Sequence, residues 1–141
     1  MPMMVAPTRN RPIPTSSAVG YAHDLISHRE ELAKNRLWVA ESQAKGRANE
    51  FTKLASEWRL GRGFQASAKA MASHPAYQQI IGMGYEALPF LFRELESQPD
   101  HWFWALWAIT RQDPVLPEHR GRIRLMAEDW IRWARSNGLT W

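Results

Sequence analysis

The sequence predicts an all-α fold, a compact bundle of five to six helices, on three observations. Residues 21–61 are rich in Ala, Glu, Lys, Arg and Leu, with Glu30 four positions before Lys34 and Glu41 four before Lys45, the orientation that supports an exposed helix. Residues 118–137 carry an apolar stripe, Ile123, Met126, Ala127, Trp130, Trp133 and Ala134, opposite Arg122, Arg124, Glu128, Arg132 and Arg135. Between them, the decapeptide 101–110 holds three of the chain's eight tryptophans and is apolar on every side of a helix. Such a helix is either wrapped by its own chain or keeps one face for a partner. The first outcome makes it an enclosed central rod.

The elements follow in order. Residues 1–20 hold four prolines, two arginines and no acidic residue and are expected to form a disordered tail ahead of a single helical domain, 21–141. Within 21–61, Leu25, Leu32 and Val39 recur every seven residues, and Phe51, Leu54, Ala55 and Trp58 form a second apolar set. The polar stretch between the sets, with Gly46 and Asn49, predicts a break between helices at 21–44 and 48–60. Gly61-Arg62-Gly63 terminates the second, glycine being the residue that accepts the left-handed conformation closing a helix.

The core, 64–141, begins with a short helix over 64–73, amphipathic through Phe64, Ala68 and Met71. Ser73 is the expected cap of the next helix, with Pro75 in its first turn, where a missing backbone donor does no harm. Gly82-Met83-Gly84 marks a corner with Met83 as an inward plug, and Tyr85–Glu96 resumes the helical period with a bend at Pro89. Asp100 is the expected N-cap of the tryptophan helix. The short turn before that helix predicts that it lies antiparallel to its predecessor. A proline-bracketed loop, 113–117, leads to the last helix, which Asn137-Gly138 ends, and Trp141 is free to fold back on it as an apolar clasp or to dangle.

Composition narrows the function classes. A chain of 141 residues can bury roughly two thirds of its unfolded surface and needs no disulfide or metal to hold it. Without cysteine there is no thiol catalysis and no zinc-thiolate site, which suits a reducing compartment and makes the cytoplasm the default address. No stretch approaches the roughly 18–20 apolar residues of a membrane span. The net charge of +4 is uneven: Lys and Arg outnumber Asp and Glu nine to six over 21–71 and five to three over 117–141, whereas 72–116 holds two against five. Basic flanks around an acidic centre predict that much of the positive charge is consumed internally.

The run 81–91, IGMGYEALPFL, followed by 104–110, WALWAIT, resembles the paired helices of a HEAT-type unit, with a proline early in the first helix and an Ala-Leu pair in the second. The resemblance implies a HEAT-like antiparallel hairpin at the centre of a compact bundle, since an extended solenoid needs at least about three repeats. The segments 74–78, 81–84 and 101–106, HPAYQ, IGMG and HWFWAL, are also similar to a group of small bacterial all-helical proteins without an assigned role, which implies a bacterial origin but supplies no activity.

No pattern announces a chemistry. His23 and His28 do not share a helix face, and neither His74 nor His101 has an acidic partner at ligand spacing, so no metal or cofactor is expected. His101 is expected to donate to a loop carbonyl. Serines lie in tails and turns without a nucleophile motif, and pairs such as Glu94 with Glu96 or Glu128 with Asp129 sit on polar faces as ordinary acids. The aromatic excess carries the largest leverage, because a buried Trp or Phe is worth about 3–5 kcal/mol against alanine and Trp is enriched among interface anchors. The expectation is a non-enzymatic protein-docking module, an antitoxin, immunity or accessory subunit of a bacterial complex whose partner is encoded nearby, with Trp38, His101, Trp104 and Trp141 as contact residues. The alternatives are a nucleic-acid-binding accessory protein using Arg124, Arg132 and Arg135, and a homodimer that buries the remaining aromatic face on itself.

Overall fold

A computed structural model of the protein describes residues 3–4, 16–64 and 67–141, and among these the fold is all helical. It falls into two units, residues 1–42 and 43–141. Helix α1, Ser16–Arg62, passes from the first into the second. One helix therefore stands where two were expected. Gly46 costs about 1 kcal/mol relative to alanine in a helix interior, but it keeps an ordinary negative φ and good helix formers flank it, so the ladder continues through it. Part of the expected tail, residues 1–2 and 5–15, lies outside the described residues, while Ser16–Gly20 are helical. Every residue from 22 to 42 is exposed, so this described part of the first unit contributes nothing to a core.

The second unit holds the core. Phe51, Leu54, Ala55 and Trp58 of α1 are buried, and Trp58 donates from Nε1 to the Met71 carbonyl at 2.9 Å. Gly63, with φ +55°, closes the helix. Gly61 serves a different purpose from the expected terminator: a Cβ there would lie 2.1 Å from the His74 ring, so the two segments approach through a residue without a side chain. The next helix, α2, is Ala68–Ala72, capped by Ser67 rather than beginning at 64, and Phe64 lies wholly in solvent.

His74, not Ser73, caps α3 (Pro75–Gly82); its Nδ1 accepts the Ala76 N–H at 3.1 Å, and Pro75 occupies the first turn. Gly84, with φ +66°, opens a 3₁₀ turn, Gly84–Ala87, and α4 spans Leu88–Ser97. Pro89 consequently falls in the first turn of α4 rather than in a helix interior, at a position whose backbone N–H would have no partner anyway, so the lost interior hydrogen bond behind the expected bend does not arise. The tryptophan helix, α5, is Phe103–Thr110, and a 3₁₀ turn, Pro117–His119, precedes α6, Ile123–Ser136. Among the α-helices, the most extensive packings are α3 with α5 and α4 with α6.

An aromatic cluster fills the middle of this unit. The Trp102 ring lies 4.3 Å from Trp58 and stacks at 11° on Tyr77, with centroids 5.6 Å apart, while Phe51 approaches it at 5.9 Å. The Tyr77 hydroxyl donates to the His101 carbonyl (2.9 Å) and accepts the Ala105 N–H (3.0 Å), which ties the start of α5 to α3. Burial pushes this phenol far above its ordinary pKa, so it stays a neutral donor and acceptor. The charge layout resolves as the composition implies: Arg47 pairs with Glu86, Arg59 with Glu94, Arg62 with Asp100 and Arg135 with Glu96, joining the acidic middle to both basic flanks.

Candidate binding cleft

Helix α5 is apolar all round, yet the enclosure expected of it is incomplete. Trp102, Ala105, Leu106 and Thr110 face the core, while Trp104 remains 54% and Trp107 38% exposed. Eight residues make only about two turns, and α3 and its neighbours cover one side of them. The two exposed indoles lie with centroids 5.1 Å apart, tilted by 43°. Arg111 closes the helix in the left-handed region, φ 58°, and its guanidinium sits 5.1 Å from the Trp107 ring. Asp100 is not the cap of α5: its Oδ1 accepts the His101 N–H at 2.8 Å, and both its oxygens are held by Arg62 at 2.7 and 3.0 Å.

Trp104 and Trp107 form one wall of a cleft of about 460 Å³, faced by Val115 from the loop and by Ile123, Met126 and Trp130 from α6. Asp113 and Arg120, paired with each other, supply charge at the lining, and His101 and Phe103 complete it. A mostly apolar concavity of this size with a few polar groups is the usual character of a binding site. The Trp130 indole N–H, in the lining residue most deeply buried, has no acceptor among the described residues.

A buried carboxylate holds the loop wall in place. Asp129, expected on a polar face as an ordinary acid, is only 2% exposed. Residues 113–121 fold over this flank of α6, so that Oδ2 accepts the Leu116 N–H at 3.0 Å and His119 Nδ1–H at 2.7 Å, and Arg132 donates to Oδ1 at 3.2 Å. Burial alone would raise its pKa, but these donors outweigh that and hold the carboxyl below the usual aspartate range. Asp100 is held low by the same balance, burial being overcome by Arg62 and the His101 N–H.

The other expected contact residues lie elsewhere. Trp38 is 68% exposed on the part of α1 in the first unit. Trp141 does fold back: its ring stacks on Phe92 at 5.1 Å, its Nε1 donates to Glu96 at 2.7 Å, and Arg135 sits 5.6 Å from its face. It is thereby an internal clasp rather than a free anchor. His101 does line the cleft, but what engages its neighbours is its backbone, which accepts from Tyr77. The three arginines considered for phosphate are all exposed, with Arg132 paired to Asp129 and Arg135 to Glu96.

Of the residues expected from sequence, the cleft brings together His101 and Trp104, and it adds Trp107, Val115, Arg120 and residues of α6 that sequence reasoning did not single out as contacts. The apolar stripe of α6 and the proline-bracketed loop directly after the tryptophans were the available signals. Among the described residues no group of three or more side chains is arranged to hold a metal ion, and no helix is long and apolar enough to cross a membrane. No protein-family model, curated protein or solved structure matches this chain, so the site is read from its geometry alone.

Proposed function

We propose that the protein is a non-enzymatic docking module that seats an apolar side chain of another protein in the cleft between α5, the 113–121 loop and α6. The observation that carries this reading is the pair Trp104 and Trp107, two large rings left open to solvent beside a concave apolar surface. Leaving such surface in water is unfavourable by about 25 cal/mol per Å², and rigid aromatic residues beside a pocket are the usual energetic centre of a protein interface. The engagement of Arg132 and Arg135 by carboxylates favours a protein partner over phosphate. A small adaptor of this kind fits the role of an accessory, antitoxin or immunity subunit.

Trp104 is the residue to test, because it contributes to the cleft and little to the core. A photo-crosslinking residue placed at position 104 should capture a discrete protein in the source cell, and the purified partner should bind the wild-type chain. Trp104→Ala should weaken that binding by at least about tenfold, as expected for an anchor worth roughly 2 kcal/mol, while keeping the wild-type melting temperature. Unchanged binding by the alanine variant would overturn the reading.

A further inference from the structure

Residues 22–42 of α1 are helical and all exposed, including Leu25 (59%), Leu32 (44%) and Val39 (44%). Most helical stability in proteins comes from packing an apolar face against a neighbour, so a covering surface would stabilise this segment. The spacing of these three residues is seven, and a seven-residue apolar repeat keeps one seam on a helix face with a drift of only about 20° per repeat. Asp24 and Glu31 immediately precede two of the apolar positions and line one flank of the seam, while Arg29 and Arg36 line the other.

We infer that this arm pairs with the same arm of a second copy, parallel and in register. Charge decides both the partner and the direction. In a parallel pair the residue before a seam position faces the residue five further along the partner, which matches Asp24 with Arg29 and Glu31 with Arg36 of the second copy; symmetry doubles both pairs. An antiparallel pair sets acid against acid and arginine against arginine. The intervening seam layers, His28, Asn35 and Ser42, are polar, so the association is weak and reversible, and they disfavour any out-of-register slide that would bury them against leucine. The inference uses only the first unit and is independent of the cleft.

The absence of cysteine makes a direct test available. In the full chain, Leu25→Cys should form a disulfide-linked dimer under mild oxidation at least about tenfold faster than Ser27→Cys on the outer face, since a disulfide needs Cα atoms within about 7 Å. Sedimentation equilibrium of the wild type should show a concentration-dependent monomer–dimer equilibrium, and Arg29→Glu with Arg36→Glu should be monomeric over the same range. Mixing that variant with Asp24→Lys plus Glu31→Lys should restore the dimer. A wild-type chain that stays monomeric at the highest soluble concentration overturns the inference. So does equal crosslinking at positions 25 and 27, or preferential crosslinking of Leu25→Cys to Val39→Cys, which reports an antiparallel pair.

Discussion

Replacing Asp129 by asparagine tests the account of the cleft wall most directly. The carboxylate is almost wholly buried and accepts from the Leu116 N–H, His119 and Arg132. Hydrogen bonds to a charged group contribute about 1.5–3 kcal/mol each, but Arg132 is largely in solvent and its share is discounted. Asparagine keeps one acceptor oxygen and turns an NH₂ toward the donors on the other side, so one bond is lost and one donor faces another. The expected loss is about 2–4 kcal/mol at neutral pH, a fall in melting temperature of roughly 8–16 °C for a chain of this size. Thermal and urea unfolding followed by circular dichroism would measure it, with Asp113→Asn, in an exposed pair with Arg120, as a control expected to stay within about 0.5 kcal/mol. The gap between wild type and Asp129→Asn should also close as pH falls, because the wild-type carboxyl is then protonated. A change below about 0.5 kcal/mol at neutral pH, the scatter of ordinary surface substitutions, would refute the idea that this carboxylate holds the loop.

Other expectations follow from the same geometry. Trp58→Phe should destabilise by about 1 kcal/mol more than Trp102→Phe, because the first removes a buried hydrogen bond to the Met71 carbonyl whereas the second removes an indole N–H that has no acceptor among the described residues; equal losses in chemical denaturation would contradict this. Trp141→Ala should lower stability by about 1–2 kcal/mol through loss of the Phe92 stack and the Glu96 bond at a half-buried site, which a null result in the same assay would exclude. Because the pKa values of Asp100 and Asp129 are depressed by folding, the unfolded chain binds more protons in acid. Their contribution is complete above the unfolded aspartate value of about 4 and is lost as pH falls through the lower folded values, so denaturant midpoints should drop steeply below about pH 4, and less steeply in Asp129→Asn.

Much of this fold was legible one residue at a time. The buried stripe of α6, the first-turn proline of α3 and the corner at Gly84 follow from helical period and from backbone preferences that act over a few residues. The apolar seam of Leu25, Leu32 and Val39 was equally plain, though its spacing said nothing of whether a core would cover it. Errors cluster where local signals are weak against the ladder of a long helix, as at Gly46, or where two candidate caps stand side by side, as at Ser73 and His74. The charge alternation also carried through, since basic flanks do find the acidic middle.

The candidate site was less legible because it is assembled by distance rather than by order. Sequence by itself determined that the chain is helical, that its tryptophans cannot all face water, and that Trp104 lies on a helix with too much apolar surface. Which rings stay open was decided by tertiary structure: α3 covers one side of α5, Phe92 takes Trp141, and the 113–121 loop is folded over α6 by Asp129. A carboxylate in the middle of an arginine-rich helix reads as solvated until the donors that bury it arrive from residues 10 and 13 positions earlier in the chain. Helical period is a property of neighbours along the backbone, whereas burial is a property of neighbours in space, and only the second leaves an indole exposed.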